Sequence, residues 1–205
     1  MTNPHLLSDR GQTLPIYIWL TAIVLFAAFA CFAFAQAASA RNGAQSAADA
    51  AALAAAQDAR DELLVRLGDA VGTDDNWLHW LDLPEDTPLP ADGADAAAQQ
   101  LAAANDSTVQ GVPQQVTRNG YPGFQVGIQT NYTVGDSIIP GTEGMQARAH
   151  AVAVVQPRCD FDLNADPKKP VELGCDGQTV NIDPEDFDPA DLPDASVLFS
   201  VHLAE

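Results

Sequence analysis

From Gly11 to Ala40 the chain runs for thirty residues without a charge, GQTLPIYIWLTAIVLFAAFACFAFAQAASA, bounded by Asp9-Arg10 and Arg41. A hydrocarbon core about 30 Å thick is crossed by roughly 20 apolar residues in a helix, so this run can span with turns to spare. Pro15 sits near its start, where the first helical turn has no internal partner for the missing N–H. In lipid the backbone must satisfy its own hydrogen bonds, and a helix does so within one segment. The expected arrangement is a short cytoplasmic tail over residues 1–10, a transmembrane helix over 11–40 and an extracytoplasmic domain beyond Arg41, since a short N-terminal tail stays inside while long domains translocate largely regardless of charge.

Charge separates the two parts. The net charge is −19, and after the apolar run come 27 acidic residues against 8 Lys and Arg. That balance repels nucleic-acid phosphates, and no basic stripe with interleaved aromatics offsets it. It also repels an anionic membrane surface, so the ectodomain is expected to stand off the lipid. Of the three cysteines, Cys31 lies in the apolar run, where a thiol behaves as a small hydrophobe. Cys159 and Cys175 enclose fifteen residues. In an oxidising exterior they are expected to pair, stabilising by roughly 3 kcal/mol in the chain-entropy model. In a reducing cytosol they would be two unpaired thiols, and neither has the CxxC spacing of a redox or zinc site.

Beyond Arg41 the segment RNGAQSAADAAALAAAQDARDELLVRLGDA is rich in strong helix formers. Asp58, Glu62, Arg66 and Asp69 share one helical face and Glu62–Arg66 is a favourable i,i+4 pair. Leu53, Ala56, Leu63, Leu64 and Leu67 lie roughly opposite, with Arg60 intruding. The reading is one long helix, with an extramembrane extension over 41–72 ending near Gly68 or Gly72 and a kink marked by Gly43. Residues 73–158 read as helix plus β-sheet. Trp77 and Trp80 would cover part of a core, Asp95–Asn105 would form a second helix, and Phe124–Val134 alternates as a half-buried strand. Met145–Gln156 is a second strand and Val109–Thr117 a weaker one, joined to the first through Asn119-Gly120 and Pro122-Gly123. Residues 159–195, with five prolines from Pro167 to Pro193, read as an acidic loop holding the Cys159–Cys175 pair and a short strand at Gln178–Ile182. Ser196–Leu203 would be a strand within the closing segment 196–205. Antiparallel strands packed on the long helix give an α+β fold.

Asp9-Arg10-Gly11-Gln12-Thr13-Leu14-Pro15, the apolar helix, and then Arg41-Asn42-Gly43-Ala44-Gln45-Ser46-Ala47-Ala48-Asp49-Ala50-Ala51-Ala52-Leu53-Ala54-Ala55-Ala56 resemble the N-terminal module of TadE/TadG-like proteins of bacterial Flp (Tad) pilus assembly. The resemblance is closest to the Ala-rich TadG-like form and covers about residues 9–60. It implies a pilin-like architecture and a pseudopilin-like or accessory component that packs its apolar helix against those of other pilus-assembly subunits in the bilayer. Small residues at Ala27, Ala28, Ala30, Ala35, Ala37 and Ala38 would let helices approach closely in lipid. Processed pilins carry Gly before the cleaved bond and Glu five residues beyond it. Gly11 could be that Gly, but Ile16 stands in the Glu position, and an uncleaved anchor fits better than a filament subunit.

Other functions compete. Ala38-Ser39-Ala40 matches a signal-peptidase site, which would make the acidic domain a secreted one, although the apolar stretch is about twice the usual signal core. Asp160, Asp162, Asn164 and Asp166 alternate as Ca²⁺ ligands would, but an EF-hand needs Gly at Ala165 and Glu at Val171. The alternative function is thus an acidic surface module, Ca²⁺-dependent or not, without a pilus role. His79 has no second metal-type residue at helical spacing, and no cofactor motif occurs. Ser196, Ser200, His150 and His202 stand outside any G-x-S-x-G, H-E-x-x-H or phosphate-loop pattern, so no enzymatic activity is expected. Asn105-Asp106-Ser107 and Asn131-Tyr132-Thr133 match the N-glycosylation triplet, which carries little meaning in a bacterial protein.

Overall fold

The computed structural model describes residues 13–133 and 144–204. One helix, α1, runs from Thr13 to Ala70 over 58 residues, about 87 Å at 1.5 Å per residue. It is helical without interruption through Gly43. The helix ends where Gly72 turns left-handed at φ +76° and the Thr73 hydroxyl donates to the Asp69 carbonyl at 2.5 Å.

Burial divides α1 sharply. None of its apolar window is buried, and Leu14, Ile18, Trp19, Phe26 and Phe34 are all more than half exposed. Ala40 is buried, and then Ala44, Ala47, Ala48, Ala51, Ala55 and Ala59 form a fully buried stripe continued by Leu63 and Leu67. Alanine side chains allow close approach, and α3 (Ala94–Ala104) meets this stripe with its own Ala94, Ala98 and Ala102. Arg60, the intruder on the apolar side, keeps a side chain only 19% exposed and donates to Asp61. Arg66 pairs with Glu62 at 2.7 Å, as the i,i+4 spacing predicts.

The other face of α1 carries the main antiparallel sheet. Its strands are β1 (Ser107–Val109), β2 (Gln114–Arg118), β3 (Tyr121–Thr133), β4 (Gln146–Pro157) and β8 (Phe199–Ala204). Strand order is β1-β3-β4-β8, with β2 alongside β3 on the β1 edge. Phe124, Val126 and Ile128 of β3 pair with Ala153, Ala151 and Ala149 of β4, placing the predicted apolar faces on α1. The segment 109–117 is two strands rather than one. Gly111 at φ +80° and Pro113 interrupt the ladder between β1 and β2. Asn119 and Gly120, both at positive φ, close the two-residue β2–β3 hairpin.

The segment 159–195 holds more structure than expected. It is turn and loop for more than half its length, and the strand expected at Gln178–Ile182 is present with those bounds. It contains a second sheet, β5 (Cys159–Asp160), β6 (Val171–Cys175) and β7 (Gln178–Ile182), in that order. Val171, Leu173 and Cys175 are buried while Glu172 and Gly174 are exposed, a period-2 pattern hidden among acids and prolines. Asp176-Gly177, both at positive φ, make the β6–β7 turn. The terminal strand also begins later than expected. Asp194 accepts from the Ser196 N–H at 2.8 Å and starts a short helix, α4 (Ala195–Leu198), so β8 opens only at Phe199. Between α1 and α3 lies α2 (His79–Asp82). Trp77 is fully buried beside it, its indole N–H donating to the Pro167 carbonyl at 2.9 Å and tying the small sheet's loop to the core. The fold is α+β, an apolar helix carrying helices and antiparallel sheets.

Candidate functional site

The most extensive functional surface is the bare half of α1. Exposed leucine, isoleucine, phenylalanine and tryptophan side chains ring Leu14–Phe34, a surface far larger than water tolerates but suited to lipid. Among the small residues, Ala30 is half-buried, while Ala27, Ala28, Ala35, Ala37 and Ala38 are exposed and free to meet another helix. Cys31 is an exposed free thiol in the same stretch. Gly11, the possible processing position, lies outside the described residues.

The domain begins where this surface ends. Tyr132, near the end of β3, lays its hydroxyl on Gly43, and the Gln45 side chain donates to the His150 carbonyl of β4 at 3.5 Å. The sheet therefore reaches α1 within one turn of Ala40, and no bare stalk separates it from the apolar run. Sequence reasoning missed this contact. Its signal was the lone Gly in an alanine-rich helix, read as a kink rather than as a notch.

Cys159 and Cys175 form a disulfide and are register partners in β5 and β6, with Cα atoms 4.1 Å apart. In the loop between them, Asp162 Oδ1 accepts from the Asn164 N–H and Asp166 Oδ1 from the Lys168 N–H. The bond from the Lys168 backbone holds the Asp166 carboxyl below its ordinary range, with help from the Lys169 and Lys168 side chains. The loop carboxylates thus shape turns. Among the described residues no three His, Cys, Asp or Glu side chains, Asp160, Asp162 and Asp166 included, gather as metal ligands would.

The remaining candidates are dispersed. Ser200 donates to the Gln156 carbonyl, and the Ser196 N–H is held by Asp194. His150 pairs with Gly127 and His202 with Val154, so the two histidines are four residues apart along β4, roughly 13 Å at 3.3 Å per residue. His79 meets Trp80 edge-on. A cleft of about 440 Å³ opens where β8 ends beside β4, lined by Gln45, Asp49, Arg118 and His150 among others.

These features define a class, a single apolar helix of membrane-spanning length with an α+β domain mounted on its end. Residues 11–58 match the Tad family, described as "Putative Flp pilus-assembly TadE/G-like". The similarity to that family is one of the N-terminal segment alone. The match covers the bare helix and the first buried alanine turns and stops before the sheets. No match was found among curated proteins or among solved structures.

Proposed function

We propose that this chain is a non-enzymatic, pseudopilin-like or accessory subunit of Flp/Tad-type pilus assembly, anchored by one uncleaved helix with its N-terminus cytoplasmic and its domain outside. The observation that carries this reading is the coincidence of the TadE/G-like segment, residues 11–58, with the exposed apolar helix and its alanine-rich continuation. A helix of this kind does its work by packing against other helices in the bilayer, where small side chains permit close contact and van der Waals forces drive association. The disulfide agrees with an oxidising exterior.

The test is co-purification of pilus-assembly membrane proteins with the full chain from its native membrane. Ala30→Leu and Ala35→Leu are expected to reduce recovery of those partners while the Cys159–Cys175 disulfide still forms and the domain resists protease. Undiminished recovery would defeat the helix-packing role. Intact mass of the membrane-bound chain checks the anchor, since a chain beginning at Arg41 in the medium would make the apolar run a discarded signal.

A further inference from the structure

Strand β4 runs alongside α1 and starts at the end nearer the apolar run. Its His150 carbonyl accepts from Gln45 of α1 at 3.5 Å, and its last residue, Pro157, pairs with Phe199 next to α4. Just upstream of α4, Pro189 and Leu192 lie against Gly68, near the other end of α1. Between these points Ala149, Ala151, Ala153 and Val155 turn toward the helix. From His150 back to Gln146 is four residues, about 13 Å at 3.3 Å each. The same length of α1 is about nine residues at 1.5 Å each, so a strand lying along the helix brings Gln146 down level with Gln36. Gln36 and Ala33 are half-buried where the other residues from Cys31 to Ser39 are exposed, and they share the helix face of Ala40 and Ala44.

The apolar run overlaps this level. From Leu14 to Phe34 α1 covers about 30 Å, the thickness of a hydrocarbon core. The stretch from there to Ala40 falls in the headgroup layer, which widens a bilayer to about 40–45 Å. Gln146 and its neighbours therefore stand in that layer, beside the helix rather than above it. Met145 is exposed there, and so is Tyr132, next to the Thr133 that pairs with Gln146. An interfacial position suits a tyrosine, whose ring is apolar and whose hydroxyl is polar. Arg148, about 7 Å above Gln146, comes level with Arg41. Among the described residues of α1 from Ala30 to Ala48, and of the sheet over 129–133 and 144–150, these two arginines are the only Asp, Glu, Lys or Arg. Both are exposed, and a guanidinium is suited to lipid phosphate. We infer that the β3–β4 end of the main sheet, at Tyr132, Met145 and Gln146, is a lipid-contact surface seated among the headgroups of the bilayer that α1 spans. The inference rests on the membrane anchor of the proposed function and is independent of its pilus role.

The test is fluorescence quenching on the full chain in phosphatidylcholine vesicles, with the native disulfide kept. Met145→Cys and Gln146→Cys, each on a Cys31→Ser background, are coupled to an environment-sensitive fluorophore in detergent before reconstitution. Leu163→Cys on the same background is the aqueous control, since Trp77 holds nearby Pro167 beyond the far end of α1. The parent chain labelled at Cys31 reports the apolar helix. The headgroup layer holds the first two labels and not the control, so a headgroup nitroxide should quench them at least about twofold more strongly. An acyl-chain nitroxide should quench the Cys31 label. Protease resistance and disulfide formation check that the variants remain folded. Headgroup quenching at both sheet positions no stronger than in the control, with the Cys31 label quenched, would overturn the inference and leave the anchor standing. A Cys31 label untouched by either lipid would defeat the anchor, and the inference with it.

Discussion

The Tyr132 hydroxyl occupies the space that a side chain at position 43 would fill. This contact pins one end of β3 to α1 three residues beyond Ala40, where burial begins. It also explains a glycine in a helix where alanine would be about 1 kcal/mol better. The atom in the way is the end of a flexible ring, so Gly43→Ala should displace Tyr132 rather than the helix. Lost packing and gained helix propensity then roughly offset, and the melting temperature should change little. Tyr132 should become more reactive to nitration than in the parent chain, read by peptide mass spectrometry. An unchanged reactivity would mean that the ring does not depend on the notch.

Gly123 is a glycine of the opposite kind. A Cβ there would collide with the backbone of Ala153 and Val154 in the neighbouring strand, and backbone cannot swing aside. Gly123→Ala should force β3 and β4 apart at one end of their ladder, costing about 2–3 kcal/mol. Urea unfolding followed by tryptophan fluorescence measures it, since Trp77 shares the core with Phe124. A loss within about 0.5 kcal/mol, the range of ordinary surface changes, would show that the strands accommodate the methyl group.

The helices and the two long strands were legible because their side chains repeat. Leu63 and Leu67 mark the buried face of α1, and Phe124, Val126 and Ile128 alternate cleanly. Of the small sheet only β7 was legible, at Gln178–Ile182. Its partner β6 was not, because Val171, Leu173 and Cys175 make a short run with acids and prolines on both sides. The start of β8 was misplaced because Ser196 to Leu198 are as apolar as a strand. Their helix is set by the Asp194 cap, a single side chain whose role periodicity does not reveal. For the site, the apolar helix was evident from composition alone. The Gly43–Tyr132 contact depends on how β3 is set against α1, which one strand's pattern cannot supply.

Asp58 of α1 rests against the start of α3, its carboxylate where a Gly93 side chain would be. Burial pushes its pKa above the ordinary 3.8, and the neighbouring Glu62 and Asp61 add to the shift. A raised folded-state pKa means the native chain holds this proton more tightly than the unfolded one. The group therefore lowers stability as pH rises from 3.8 through its folded value, and the penalty persists above that. Asp58→Asn should be more stable than the parent at pH 7, with the difference disappearing below about pH 3.8. Urea midpoints of both chains at pH 3 and pH 7 test this. A less stable variant at pH 7 would mean that the carboxylate supports the α3 N-terminus by more than its burial costs.

Removing the disulfide should loosen one part of the domain and spare another. Cys159 and Cys175 close the β5–β6 pair, and beyond them the small sheet is held by Val171, Leu173 and Ile182 in the core and by the Trp77–Pro167 hydrogen bond. The double change Cys159→Ser, Cys175→Ser removes a constraint worth about 3 kcal/mol for a loop of this size and leaves two hydroxyls at apolar positions. Limited proteolysis should then cut within residues 159–195, and the Trp77 environment should become more polar once Pro167 is released. Amide exchange in β3 and β4 should stay slow, because their ladder and their alanine contacts with α1 are untouched. Simultaneous loss of protection in both sheets would show that they unfold as one unit. Unchanged proteolysis would show that the three buried aliphatic side chains hold the small sheet without the covalent link.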